Sequence, residues 1–102
     1  MNAQAKKVQN AIDRLHTVYD PGIKEYLEKL DKIGEPVTIT ITANELRLLK
    51  NYVSNRLGEL HNDWFEVTHD EQVDECDMAY ELCRIKEKEE QVGRLYTKLT
   101  HC

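Results

Sequence analysis

Residues 42–64 read TANELRLLKNYVSNRLGELHNDW, and the fold turns on this stretch. Thr42 and Glu45 have capping-box spacing, in which each side chain satisfies the other's backbone N–H, and Ile41 and Leu46 flank them as a hydrophobic staple. Leu46, Leu49, Val53, Leu57, Leu60 and Trp64 then recur at steps of three or four, which is one face of an amphipathic helix. Gly58 interrupts that helix at a propensity cost of ~1 kcal/mol, which predicts a close contact or a bend there. The helix is expected to end near Phe65 to Val67.

Working towards the C-terminus, Thr68 and Glu71 repeat the capping-box spacing and predict a fourth helix reaching about Leu99. Met78, Leu82, Ile85, Val92, Tyr96 and Leu99 follow a heptad-like rhythm along it, with Glu89 the one polar interruption. Residues 43–99 therefore read as an antiparallel helical hairpin. Working towards the N-terminus, residues 36–41 contain Val37-Thr38-Ile39-Thr40-Ile41, strict alternation of the kind a half-wet strand shows. A single strand cannot satisfy its own backbone, so this one requires a partner in another segment, another copy or another protein.

Residues 1–34 read as two short helices. The first runs from an Asn2 N-cap to Tyr19 on the face Val8, Ile12, Leu15 and Tyr19. Asp20-Pro21 punctuates the chain, and the second carries Ile23, Tyr26, Leu27, Leu30 and Ile33, ending at Gly34 as a left-handed cap before Pro36. The fold class is thus mainly α: four helices including a long antiparallel hairpin, with one short strand at about 37–41, in a single domain over residues 1–102.

The composition narrows the function classes. Of 102 residues, 40% are hydrophobic and 32% charged, which suits a globular chain with a modest core. With one Phe and one Trp, that core depends on aliphatic residues, and pairing with a second copy, a dimer, is expected to complete it. The opening residues have no signal-peptide pattern and no apolar run long enough for a membrane span, so a cytoplasmic setting with Cys76, Cys83 and Cys102 as reduced thiols is expected. The net charge of −5 and the lack of a concentrated basic face argue against direct nucleic-acid binding, including by a helix-turn-helix.

The charge is unevenly placed. Between Arg56 and Arg84 there is no Lys or Arg, yet that stretch holds Glu59, Asp63, Glu66, Asp70, Glu71, Asp74, Glu75, Asp77 and Glu81. The remainder carries ten acids against fourteen basic residues, so an acidic hairpin tip opposes a mildly basic body. Phe65 and Trp64 fall inside the acidic block. Trp64 continues the core stripe, whereas Phe65 is the aromatic expected at the surface, where an anchor within a charged rim serves binding. These nine acids together with Phe65 are the candidate partner-binding residues, and a basic surface on another protein is the partner they suit. A solvated polar face is the plain alternative.

Few residues point to catalysis. No nucleophile motif or phosphate-cradling glycine loop is present, since Gly22, Gly34, Gly58 and Gly93 are scattered singly. Cys76 and Cys83 are seven apart with His61 and His69 across the turn, but zinc ligand pairs are spaced more tightly, and both thiols occupy positions expected of core residues. No metal, cofactor or catalytic residue is assigned on these grounds. Glu25-Tyr26-Leu27-Glu28 and Glu71-Gln72-Val73-Asp74 resemble the ExxE and ExxD motifs of all-α MazG-type nucleoside triphosphate pyrophosphohydrolases, which implies magnesium held between two helices as an alternative function.

The entry Ile39-Thr40-Ile41-Thr42-Ala43-Asn44-Glu45-Leu46 and the acidic stretch from Glu59 to Glu81 resemble, in style, small accessory proteins of bacteriophages and other mobile elements, including anti-CRISPR-type inhibitors. That resemblance implies a non-enzymatic inhibitor or modulator that occupies a basic, nucleic-acid-binding surface of a partner protein in a host cytoplasm. A helical homo-oligomer or assembly adaptor, joined through the seam of the fourth helix and the strand, is the other non-enzymatic reading.

Overall fold

The computed structural model describes residues 2–101, which form helix α1 (Ala3–Arg14), a π-helical turn (Leu15–Tyr19), α2 (Asp20–Ile33), α3 (Ala43–Thr68) and α4 (Glu75–Thr100). The fold is mainly helical, as expected, but the first two helices are not separate. They run on through the π turn as one segment, so three helical segments stand where four were expected. The reason lies at Pro21. Proline has no N–H for the carbonyl four residues back, and in an α-helix its ring strikes that carbonyl. Here Asp20 donates its N–H to the carbonyl of Leu15, five residues back, and the wider turn carries the helix past the proline.

Gly34 closes α2 with its N–H on the Leu30 carbonyl at 3.0 Å, in an extended conformation (φ −75°, ψ 114°) rather than the left-handed cap expected. The expected strand at 37–41 is also corrected. Among the described residues there is no strand, and residues 34–42 cross between α2 and α3 as exposed chain without regular structure. Among the described residues none pairs with the backbone of residues 35–41.

α3 begins as read, with the Thr42–Glu45 capping box fully formed. Its stripe faces inward, with Val53 and Leu60 buried and Leu46, Leu49, Leu57 and Trp64 half-buried. Gly58 lacks a close contact, since a Cβ placed there meets nothing within 4 Å. The start of α4 is corrected as well. Asp74, not Thr68, is its N-cap, accepting from the Asp77 N–H at 2.8 Å. Thr68 belongs to the end of α3, where its hydroxyl donates to the carbonyls of Trp64 and Phe65.

α4 is the spine. α1 and the π turn pack on its first half and α3 runs antiparallel to it. Ala11, Leu15, Ile23, Leu27, Met78, Ala79 and Leu82 form one buried cluster, with Val8, Tyr19, Trp64 and Val67 packed around it. Beyond that cluster α2 stays beside α4 as far as the Arg94–Asp31 ion pair but packs on it loosely, and the second half of α4 is backed mainly by the first half of α3. Tyr26, Leu30 and Ile33, expected on the packed face of α2, are exposed as a result. The molecule measures 52 × 28 × 17 Å, with a body around the buried cluster and an arm where α2 flanks the α3–α4 pair loosely, held by the Arg94–Asp31 ion pair. Among the described residues no helix is long and apolar enough to cross a membrane.

Candidate protein-docking surface

The acidic residues lie at the body end, on the last turns of α3, the turn at residues 69–74 and the first turns of α4. Two devices hold that turn. Asp70 folds back to accept the Gln72 N–H at 2.9 Å, and α1 reaches across from more than sixty residues away. The Lys7 ammonium donates to the carbonyls of Asp70, Glu71 and Val73, at 3.3, 3.0 and 2.7 Å. The Gln4 amide donates to the Thr68 carbonyl at 3.0 Å. The Thr68 carbonyl at the end of α3 lacks an intrahelical donor, which the Gln4 amide supplies, while the Lys7 ammonium serves turn carbonyls that lie in neither helix.

The expected docking residues divide by what their side chains do. Glu75 is turned inward, taking the Asn10 amide at 3.2 Å and lying 3.8 Å from the Arg14 guanidinium. Asp74 and Asp70 are committed to the cap and the turn. Glu59 pairs with Arg56 at 3.0 Å along its own helix. The remaining five, Asp63, Glu66, Glu71, Asp77 and Glu81, are exposed, with no ion pair or side-chain hydrogen bond among the described residues. Phe65 is 61% exposed and stacks on the His69 imidazole, ring centroids 3.9 Å apart. Trp64 is half-buried against the core cluster. The end thus offers a pre-placed aromatic pair and five carboxylates whose charge is not consumed within the chain.

The residues considered for chemistry stay apart. Glu25 pairs with Lys29 on α2, and the Glu71–Asp74 motif lies in the turn and at a cap rather than along a helix. Among the described residues no three His, Cys, Asp or Glu side chains are grouped to hold a metal ion. Cys76 is exposed, contrary to the core position expected from its spacing, because the first turn of α4 presents that side to solvent. Cys83 is half-buried against the core, and burial, followed by the nearby Glu87 and Asp20 charges, pushes its thiol above the ordinary range. Cys102 lies outside the described residues.

A second feature had no signal in the sequence. Between α2 with the chain after it and the α3–α4 pair opens a cleft of about 1520 Å³, lined by Leu15, Leu30, Val37, His61, Trp64 and Glu89 among others. Glu89, the polar break in the heptad rhythm, faces this space instead of a helix. Across the chain, Lys86 donates to Asp20 at 2.7 Å and Arg94 to Asp31 at 2.8 Å, tying α4 to the first helical segment. Partners more than sixty residues apart leave no local pattern to read.

Comparison with protein-family models, with curated proteins and with solved structures finds no match for this chain.

Proposed function

We propose that this protein is a non-enzymatic modulator that docks its acidic end onto a basic surface of a partner protein, of the kind that otherwise binds nucleic acid. One observation carries the reading: five exposed carboxylates without an internal partner share one end of the molecule with an exposed, stacked aromatic pair, next to a turn tied down from α1. Unpaired like charges repel one another, so they cost the free protein a little stability and favour a cationic partner. Such a surface acts mainly on association rate and on choice of partner, while Phe65 provides the apolar contact that charge alone lacks.

The test uses a variant that spares the fold. Asp63→Asn, Glu66→Gln, Glu71→Gln, Asp77→Asn and Glu81→Gln together remove the five free charges and leave the Asp74 cap, the Asp70 turn and the Glu75 contacts intact. The native chain is expected to capture a basic protein from lysate, to release it as salt screens the contact, and to lose it to a competing oligonucleotide. The five-fold variant, with unchanged helical circular dichroism, is expected to capture none. Equal capture by both forms would rule the acidic end out.

A further inference from the structure

The crossing segment poses a separate problem from the acidic end. Val37 and Ile39 are 83% and 67% exposed, and Ile33 just before them is 77% exposed. The backbone of residues 35–41 makes no hydrogen bond to any other described residue. Apolar, exposed and with its backbone unpaired, this segment has the open donors and acceptors of a strand edge, which proteins cover or blunt.

The area of the whole chain says how much is uncovered. A folded monomer of 12.0 kDa exposes about 6000 Å² and has a radius of gyration of about 13 Å. This chain exposes 7646 Å² with a radius of gyration of 16.6 Å. The excess, roughly 1600 Å², falls in the range that one protomer buries in an obligate homodimer.

The segment itself favours a second copy as the cover. Residues 36–44 hold no Asp, Glu, Lys or Arg, the longest such stretch in a chain of net charge −5, so two copies meet there without repulsion. The sequence is also self-complementary. Antiparallel pairing about Ile39 sets Ile39 against Ile39, Val37 against Ile41 and Thr38 against Thr40, with the aliphatic residues on one face and the threonines on the other. Pairs of β-branched residues and of threonines are favourable cross-strand neighbours. Pro36, without an N–H, sits just outside the ladder, where a proline is tolerated.

We propose that residues 37–41 pair antiparallel with the same residues of a second copy, about a two-fold axis through Ile39, and that the protein is a homodimer closed on this side. Such an interface is isologous, each copy giving and receiving the same contacts. The aliphatic face of the two-stranded ribbon then lies towards the exposed end of α2 and the mouth of the cleft, which supplies the packing an isolated ribbon lacks. The acidic end takes no part, so this proposal and the docking proposal stand or fall separately.

Sedimentation equilibrium on the full chain tests the assembly, with a mass twice 12.0 kDa expected. Ile39→Asp sets two carboxylates opposite each other and removes two isoleucines from the interface. It is expected to weaken dimerisation by more than about a hundredfold, with the helical spectrum unchanged because Ile39 is mostly exposed and lies outside the helices. A cross-link then reports the register. In a chain with Cys76, Cys83 and Cys102 replaced by serine and confirmed to dimerise, Ile39→Cys is expected to oxidise to a linked dimer. Directly opposed residues stand about 4.5–5.5 Å apart at Cα, within disulfide reach. The exposed control Tyr52→Cys is expected not to link. A native chain that sediments as a monomer overturns the proposal. A dimer that survives Ile39→Asp and gives no link at residue 39 overturns it as well.

Discussion

At the scale of single residues, capping chemistry shows how neighbours choose between equivalent local signals. Thr68 and Asp74 both stand three residues before an acidic residue, and either could open α4. Asp74 does so because Thr68 is already committed to α3, its hydroxyl on the Trp64 and Phe65 carbonyls and its own carbonyl held by Gln4. Removing the cap by Asp74→Ala is expected to cost about 1 kcal/mol in urea unfolding. Thr68→Ala is expected to be close to neutral, since its hydroxyl repeats what the helix backbone already supplies. The opposite ranking would place the start of α4 at Thr68. The Thr42–Glu45 box shows the converse: with nothing competing for either residue, it forms as written, and its hydrogen bonds hold the Glu45 carboxyl below the usual range.

At the scale of elements, the junction between α1 and α2 depends on a side-chain cluster as well as on Pro21. Asp20 receives Lys86 from α4 and His16 from its own helix, each at 2.7 Å. Burial works to raise the Asp20 carboxyl, and the hydrogen bonds and positive charges of Lys86 and His16 outweigh it, leaving the group below its ordinary value. A carboxyl lowered on folding stabilises the protein fully above its unfolded pKa, and that contribution is lost as pH falls through the folded value. Native and Asp20→Asn chains, unfolded in urea from neutral pH into the acid range, are expected to show a stability gap that is constant near neutrality. The gap should shrink below the ordinary carboxylate range. A gap independent of pH would mean that the pair does not anchor the π turn to α4.

At the scale of the whole molecule, two ends share one spine. The buried cluster around Met78 and Leu82 lies at the body end, while the arm has little apolar contact beyond α3 on α4. Leu82→Ala, at a fully buried position, is expected to cost about 2–5 kcal/mol, and the arm should unfold with the body because α4 belongs to both. Leu95→Ala, at an exposed position on the same helix, is expected to change stability by less than about 0.5 kcal/mol. Denaturant midpoints for the pair check this. A large effect at Leu95 would show that this side of α4, which shares a shallow pocket with Leu27 and Leu30 of α2, is covered in solution.

The sequence by itself determined the helical class, the buried stripe of α3 from Leu46 to Trp64, the inward residues of α4 and the concentration of acids around the turn. Each of these is written in spacing within one segment, because a helix repeats every 3.6 residues and an exposed charge needs no neighbour to place it. Only the tertiary structure decided that Asp20-Pro21 lies inside a continuous helix, that Asp74 starts α4 and that Glu75 faces inward while Asp63, Glu66, Glu71, Asp77 and Glu81 do not. It also decided that the apolar face of α2 stays half open and that Val37 to Ile41 runs as unpaired chain. The turn, the Glu75 side chain and the anchoring of Asp20 depend on Lys7, Gln4, Asn10, Arg14 and Lys86, each paired with a residue more than sixty positions away. Contacts of that range follow from how the helices cross, which no local pattern records.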